Sequence, residues 1–178
     1  MKLIMESWRK YINENELNEA AKGITDLPKG TKIYIDESSD EVYIECDFFG
    51  NLSATLIAGC GKNIYAVEDV YTKDGWGPFI YDLAMEYVTS KGGGITASKG
   101  SSTNQLANKI WKYYDSDARM DVQSEPLPEG CPKTRMKDAA AAGGFARHED
   151  SDPYLNKVYR KDLDLLDLLK GVLKISVK

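Results

Sequence analysis

The hydrophobic pattern of this chain changes its period from two to 3.6 just before Pro78, and this change limits the folds open to it. Upstream, apolar and polar residues alternate, as they do in strands whose two faces meet different surroundings. Downstream, apolar residues recur at the spacing of one helix face: Ile80, Leu83, Ala84, Tyr87 and Val88. A sheet of consecutive strands must therefore give way to a helix at this point.

Residues 31–71 predict an antiparallel meander of about four strands. The segments "TKIYID", "DEVYIECDFF", "NLSATLIA" and "NIYAVEDVYT" are joined by "SSD", "GN" and "GCGKN", which are short and rich in turn-forming residues. Joints of this length connect antiparallel neighbours. In the second strand Val42, Ile44, Cys46 and Phe48 share one face. Cys46 is therefore expected in the core.

Beyond Pro78 the pattern predicts a helix, a strand and a second helix. Pro78 fits the first helical turn, where its missing N–H costs nothing, and "KGGG" fits the end of that helix. "ITAS" predicts a short strand, and "SSTNQLANKIWKYY" a helix that begins with a capping box of Ser102 and Gln105. A strand between two helices implies a crossover and a parallel neighbour. The expected fold class is α/β, or α+β, with a mixed sheet.

The length of the chain, 178 residues, favours a single domain. Good helix formers at 5–13 and 16–22 predict amino-terminal helices. Pro, Gly and charged residues dominate positions 119–152 and predict a long irregular excursion. "YLNKVYRK" then predicts a late strand, and "DLDLLDLLKGVLKI" predicts a Leu-rich terminal helix that an extended tail could follow. The single domain, 1–178, divides into 1–30 (helices), 31–118 (sheet and core), 119–152 (excursion) and 153–178 (strand and helix).

Charge and cysteine content bear on partners and compartment. The net charge of −5 argues against non-specific nucleic-acid binding, which depends on Lys and Arg meeting phosphates. The chain shows neither a secretory h-region nor an apolar run of membrane-spanning length, so a cytoplasmic protein without a membrane partner is expected. Cys46, Cys60 and Cys131 are odd in number and far apart, which favours reduced thiols. The sequence leaves a homodimer open.

The only histidine, His148, lies in "RHEDSD" among clustered acids. One imidazole without a defined ligand spacing favours a solvated acidic loop over a metal site. A Cys–His nucleophile pair would also have to use His148, and no third orienting group can be named for it. No metal site is therefore predicted.

Residues 72–77, "TKDGWG", place two glycines between the last meander strand and the helix that follows. Backbone N–H groups at a helix N-terminus suit a pyrophosphate, and glycine lets the backbone approach it closely. The spacing of Gly75 and Gly77 resembles the phosphate loop Q/R-x-x-G-x-G/A of the Gcn5-related N-acetyltransferases, which lies between the fourth strand and third helix of that family. Thr72 stands at the Gln or Arg position, and Lys73 follows it. The alternative is a tight strand-to-helix turn.

A second motif lies after the predicted fifth strand, where Asn104, Ala107, Ile110 and Trp111 are spaced like the N-x-x-A-x-x-L-Y of the same family. Trp111 takes the place of the family's Tyr. The resemblance covers about residues 40–115. The segments "GPFIYDLAMEY" and "KVYRK" also look similar to uncharacterised acyltransferase-like proteins of tailed phages.

The resemblance implies an acyl-CoA-dependent N-acyltransferase with acetyl-CoA, or another acyl-CoA, as cosubstrate. Transfer to a primary amine, on a small molecule or a protein, would proceed by direct attack in a ternary complex. The implied cosubstrate-binding residues are Val70, Tyr71, Thr72, Lys73, Gly75, Trp76, Gly77, Asn104, Ala107 and Trp111.

Amine acylation needs a base for the amine and benefits from an acid for the leaving thiolate. Glu68 and Asp69, on the strand before the loop, are the candidate bases; strict alternation would place only one of them in a cleft. Tyr114 and Tyr113 are the candidate acids. All four residues also fit structural roles, the carboxylates in solvent and the tyrosines in the core or at its rim.

A different class of function is a binding protein that keeps this scaffold without catalysis, such as a phage accessory protein acting on a host or virion component. Exposed aromatic residues would then serve the partner. The candidates are Tyr43, Tyr65 and Tyr71.

Overall fold

An eight-stranded mixed sheet and three α-helices make up the described part of the chain in a computed structural model. The described residues are 21–98, 105–117, 119–132, 153–162 and 164–177. The strands are β1 (Ile33–Glu37), β2 (Glu41–Cys46), β3 (Gly50–Leu56), β4 (Ile64–Thr72), β5 (Gly94–Ala97), β6 (Val122–Pro126), β7 (Lys157–Lys161) and β8 (Leu173–Val177). The helices are α1 (Gly77–Ser90), α2 (Gln105–Tyr114) and α3 (Leu165–Leu168), with 3-10 turns at Ile24–Asp26 and Pro153–Asn156. Within these ranges none of the helices combines the length and the apolar character needed to cross a bilayer.

The strand order is β6-β7-β5-β4-β3-β2-β1-β8. The predicted meander is confirmed, because β1 to β4 pair in sequence and antiparallel. The predicted crossover is confirmed too: α1 joins β4 to a parallel β5. At the two ends of the sheet, β7 pairs antiparallel with β5 and β6, and β8 pairs parallel with β1. The fold class is therefore α/β with a mixed sheet.

Helix α1 is buried on all sides, from Pro78 to Val88. Its apolar stripe packs into the core as expected. Asp82 and Glu86, on the opposite side of the helix, are covered as well, because Arg119 donates to Asp82 at 3.0 Å and Lys161 to Glu86 at 3.1 Å. The polar stripe of this helix thus faces an ionic cluster inside the protein.

Two predictions for the carboxyl-terminal half were wrong in part. The region expected to be irregular contains β6, which pairs antiparallel with β7 over Val122–Pro126. The Leu-rich terminal helix is limited to the single turn of α3, and the residues after Gly171 form β8 on the edge of the sheet. Gly171 ends the run of helix formers, and Val172, Ile175 and Val177 after it are β-branched residues that favour a strand.

The predicted helix at 16–22 does not reach its expected end, because Ala21 and Lys22 are not helical. The remainder of the predicted amino-terminal helices lies outside the described residues, as do Ser102, Asn104 and His148.

The prediction of three reduced cysteines was wrong. Cys60, in the β3–β4 connection, forms a disulfide with Cys131, which follows β6; their Cα atoms are 5.0 Å apart. Both belong to a small apolar cluster with Ile64 and Val158. Cys46 is a free, buried thiol on the core face of β2, as predicted, and burial raises its pKa.

Candidate functional site

The most distinctive feature near the predicted site is the part of β4 that continues beyond its pairing with β5. The two strands pair in parallel only where Ile64–Val67 lies beside Gly94–Ala97. β4 then continues to Thr72, whereas the described part of β5 ends at Ala97. Within the described residues, the last five residues of β4 therefore have a strand neighbour on the β3 side only. Their other edge offers backbone donors and acceptors to a ligand.

A β-bulge lies directly after the last residue pair between β4 and β5. Ser53 pairs with Asp69 and Ala54 with Val67, so Glu68 is the extra residue. The side chain of Glu68 is exposed, and it accepts a hydrogen bond of 2.7 Å from Ser98 Oγ, just beyond the end of β5. The bulge breaks the strict alternation assumed for Glu68 and Asp69, and both are exposed. It therefore places a carboxylate next to the point where the pairing of β4 with β5 ends.

The glycine loop between β4 and α1 is held by backbone hydrogen bonds. Lys73 N–H donates to Phe49 O at 2.8 Å, and Trp76 N–H donates to Lys73 O at 3.1 Å. Gly75 has a φ of +82°, in the left-handed region that favours glycine, so this turn needs a residue without a Cβ. The helix α1 begins directly after this turn, at Gly77.

The N-terminus of α1 carries the donors suited to an anion. Pro78 has no N–H, and within the described residues the N–H groups of Gly77 and Phe79 have no acceptor. Lys73 lies close by, with its Nζ 4.6 Å above the ring of Phe48. Lys22 is the second nearby cation: its Nζ donates to Asp74 O at 3.0 Å, and its N–H donates to Gly75 O at 2.9 Å. Backbone donors and two lysines thus surround this loop.

The side chain of Trp76 has a structural role in the loop. Its side chain is buried and stacks on Phe49 with ring centroids 4.9 Å apart, while Phe48 and Phe79 meet its plane edge-on. The indole anchors the loop to the core. Among the other predicted cosubstrate residues on this side, Val70 and Thr72 are half-buried, whereas Tyr71 is 72% exposed.

Helix α2 reaches the loop through Ile110. A Cβ placed on Gly77 would lie 3.6 Å from Ile110 Cδ1 and 3.8 Å from Thr72 Oγ1, so the loop, the end of β4 and α2 meet at this glycine. Ala107, one turn before Ile110, is half-buried. The two sequence motifs, separated by about thirty residues, are therefore adjacent in space.

The aromatic residues of the second motif are core residues. Trp111, Tyr113 and Tyr114 are all buried. Trp111 packs against Tyr81 and Tyr159, with ring centroids 5.4 Å and 5.3 Å away. Neither candidate acid presents its ring at the protein surface.

The hydroxyl of Tyr114 is committed to the ionic cluster under α1. It donates to Asp82 Oδ1 at 2.7 Å, and Arg119 donates to the same oxygen. Burial, with the negative charge of Asp82, raises the pKa of Tyr114 well above its ordinary value, although Arg119 acts against this. The phenol therefore stays protonated at physiological pH, and it is a structural donor here.

Sequence reasoning missed two residues of this region, Ser98 and Lys22. Ser98 could have been found, because the carboxyl ends of parallel neighbours meet at one edge of a sheet, and Ser98 and Glu68 follow paired segments of such neighbours. Lys22 gave no such signal, since its contact with Asp74 joins residues 52 positions apart.

Comparisons of this chain with protein-family models, curated proteins and solved structures give no significant match.

Proposed function

We propose that this protein is an acyl-CoA-dependent N-acyltransferase that transfers an acyl group, most simply acetyl, from coenzyme A to a primary amine. The observation that carries the proposal is the segment of β4 beyond its pairing with β5, which begins at the bulge of Glu68 and leads to the glycine loop of α1. A long, thin ligand with a thioester at one end and a pyrophosphate further along fits such a path. The element order, meander, glycine loop, helix, parallel strand and helix, is the order that the resemblance implies.

The loop supplies the chemistry for the pyrophosphate. The N–H groups of Gly77 and Phe79 lie at the positive end of the α1 dipole, which favours an anion. Lys73 and Lys22 add positive charge beside the loop. The pantetheine arm would then run along the open edge of β4, where backbone groups can hydrogen-bond its amides.

The transfer step uses the carboxylate at the bulge. The amine nitrogen bonds to the thioester carbonyl carbon, the carbon–sulfur bond breaks, and Glu68 takes the proton that the amine loses, directly or through water. Asp69 is the second candidate for this role. The thiolate of CoA takes its proton from water, because the hydroxyl of Tyr114 is occupied by Asp82 and Tyr113 is buried.

The second candidate function is a non-catalytic binding protein on this scaffold, for example a phage accessory protein that acts on a host or virion component. The burial of Trp111, Tyr113 and Tyr114 favours it, because no tyrosine of this motif is at the surface to protonate a thiolate. Of the aromatic residues assigned to a partner, Tyr71 is exposed and Tyr43 half-buried, whereas Tyr65 is buried, contrary to expectation.

Calorimetric titration with acetyl-CoA and with CoA tests the proposal. We expect saturable binding that Gly77→Arg abolishes, because the long side chain must enter the space next to Ile110 and Thr72. Gly77→Ala is the matched control, since its methyl group would make only ordinary contacts and leaves the N–H in place. Absence of heat and of thermal stabilisation at about 1 mM ligand, which means affinity weaker than about 4 kcal/mol, would refute the enzyme and leave the binding protein.

A further inference from the structure

In the described part of the chain, the sheet ends at β6 on one side and at β8 on the other, and these two edge strands differ in composition. At the β6 edge, Glu125 is ion-paired with Arg160 at 2.6 Å, and the strand ends at Pro126. Charge and proline are the usual means of preventing further strand pairing. β8, at the opposite edge, instead carries Leu173, Ile175 and Val177. This second edge is the one suited to association.

The register of β8 with β1 determines which residues of β8 have backbone N–H and C=O groups that point away from the sheet. Ile33 N–H donates to Val172 O at 3.2 Å, and Ile33 is in register with Leu173. In a parallel pair with this register, residues 172, 174 and 176 direct their N–H and C=O groups to β1. The backbone groups of Ile175 and Val177 and the C=O of Leu173 therefore point away from the sheet, whereas Leu173 N–H donates to Leu169 O at 2.9 Å.

The side chains of the same three residues form an apolar row. Leu173 and Ile175 are in register with Ile33 and Ile35, which are fully buried on the core face of β1. Ile175 is nevertheless 52% exposed and Val177 64% exposed. The core face of the sheet thus extends onto β8, where it is only partly covered.

We propose that this edge pairs with β8 of a second copy of the chain, antiparallel and about a twofold axis at Ile175. Ile175 would lie opposite its counterpart, and Leu173 opposite Val177 of the second copy. Because Leu173 N–H already donates to Leu169 O, the pairing forms about four hydrogen bonds: two between the Ile175 residues, and one from each Val177 N–H to Leu173 O of the other copy. The apolar rows then meet on one face, and Lys174 lies opposite Ser176, so that no like charges face each other.

The occupant is a second copy because the edge is complementary to itself. An isologous twofold contact requires each residue and its counterpart to fit in the same register, and the pattern around Ile175 meets this condition for backbone, apolar row and charge together. A contact of five residues from each chain is smaller than a standard interface of about 1,200–2,000 Å². The dimer is therefore weak and depends on concentration. This inference does not depend on the proposed function.

Sedimentation equilibrium over a wide range of protein concentration tests the pairing. We expect a monomer–dimer equilibrium for the wild type and a monomer at every concentration for Ile175→Lys, which places two ammonium groups against each other. Met120→Lys is the matched control: Met120 is 95% exposed and precedes β6, at the opposite edge of the sheet. It should behave like the wild type.

A further variant, Ser176→Glu, should increase the affinity between the two copies. The new carboxylate of each copy would lie opposite Lys174 of the other copy, which gives two new ion pairs in the dimer. We expect the affinity of dimerisation to increase by up to about tenfold. A wild type that stays monomeric at its solubility limit would overturn the proposal, as would a dimer that Ile175→Lys leaves intact. If Ile175→Lys fails to fold, the decision rests on Ser176→Glu, and unchanged affinity would then overturn the pairing.

Discussion

The carboxylate of Glu86, in the middle of α1, accepts the backbone N–H of Leu166 at 2.7 Å, although the two residues are 80 positions apart. It also accepts the N–H of Leu165 at 2.9 Å. α3 has no cap from its own preceding side chain, since Asp164 bonds to Lys161 instead. A buried carboxylate from another helix therefore satisfies the first donors of α3. These two hydrogen bonds hold α3 against α1.

Glu86→Gln should destabilise the protein strongly. The substitution removes the charge that faces Lys161, which is buried and 3.1 Å away, and it weakens the acceptor of the Leu165 and Leu166 N–H groups. Because Lys161 keeps its ion pair with Asp164 at 2.6 Å, the expected cost is that of a hydrogen bond to a charged group, about 1.5–3 kcal/mol. The measurement is the free energy of unfolding in urea. Asp167→Asn is the control, because its ion pair with Lys170 is exposed and its loss should cost less than about 1 kcal/mol. Equal effects of the two substitutions would contradict the role of Glu86.

Asp121 should make the protein sensitive to acid. Arg119 donates to both of its carboxylate oxygens at 2.7 Å. Burial raises the pKa of Asp121, but the hydrogen bonds and charge of Arg119, with the charge of Lys161, outweigh burial and lower it. A lowered pKa in the folded state contributes stability above about pH 4, and this stability is lost as the pH falls through the folded-state value.

The melting temperature of Asp121→Asn should accordingly be lower than that of the wild type at neutral pH and should fall less steeply as the pH drops below about 4. Asp117→Asn, a change at an exposed carboxylate nearby in the chain, serves as the control and should keep the wild-type slope. Parallel profiles for wild type and Asp121→Asn would show that this ion pair does not govern acid unfolding.

Reduction of the Cys60–Cys131 disulfide should lower stability substantially. The bond closes a loop with a sequence separation of 71 residues, for which the chain-entropy model gives about 4 kcal/mol. Urea unfolding with and without reductant measures the difference, and the Cys60→Ser/Cys131→Ser variant should no longer respond to reductant. Thiol titration of the unreduced, denatured protein should find Cys46 alone; three reactive thiols would contradict the pairing.

The sequence was informative wherever neighbouring residues determine the structure. Alternation located the meander, and the change of period at Pro78 located α1 and the parallel crossover. The ion pairs that bury the polar side of α1 could not be found in this way, because Arg119 and Lys161 lie 37 and 75 positions from the carboxylates to which they donate. The disulfide and β8 were missed for the same reason: each is specified by a distant part of the chain.

In the candidate site, too, the sequence did not show which side chains are buried. Trp76 looks functional in a loop of glycines, yet its indole is needed to stack on Phe49. The two tyrosines after Trp111 fall into the core because α2 packs this side onto Tyr81 and Tyr159. Of the four candidate acids and bases, Glu68 and Asp69 are exposed, whereas Tyr113 and Tyr114 are buried.

Glu68→Gln should reduce acyl transfer by about 10²–10⁴-fold if Glu68 is the base of the proposed reaction, because an amide cannot take the proton of the amine. The measurement is the rate of thiol release from acetyl-CoA with a primary amine as acceptor. Asp69→Asn is the matched control, since Asp69 is paired regularly opposite Ser53 and lacks the contact with Ser98. A larger loss in Asp69→Asn would transfer the role to that residue.

Ser98 is a positioning residue in this scheme, since its hydroxyl holds the Glu68 carboxylate at 2.7 Å. Ser98→Ala should therefore lower kcat, leave the KM for acetyl-CoA unchanged and have a smaller effect than Glu68→Gln. Ser98→Thr keeps a hydroxyl and should recover much of the rate. If Ser98→Ala changed only stability, or Ser98→Thr were no better than Ser98→Ala, the hydrogen bond would have no part in the reaction.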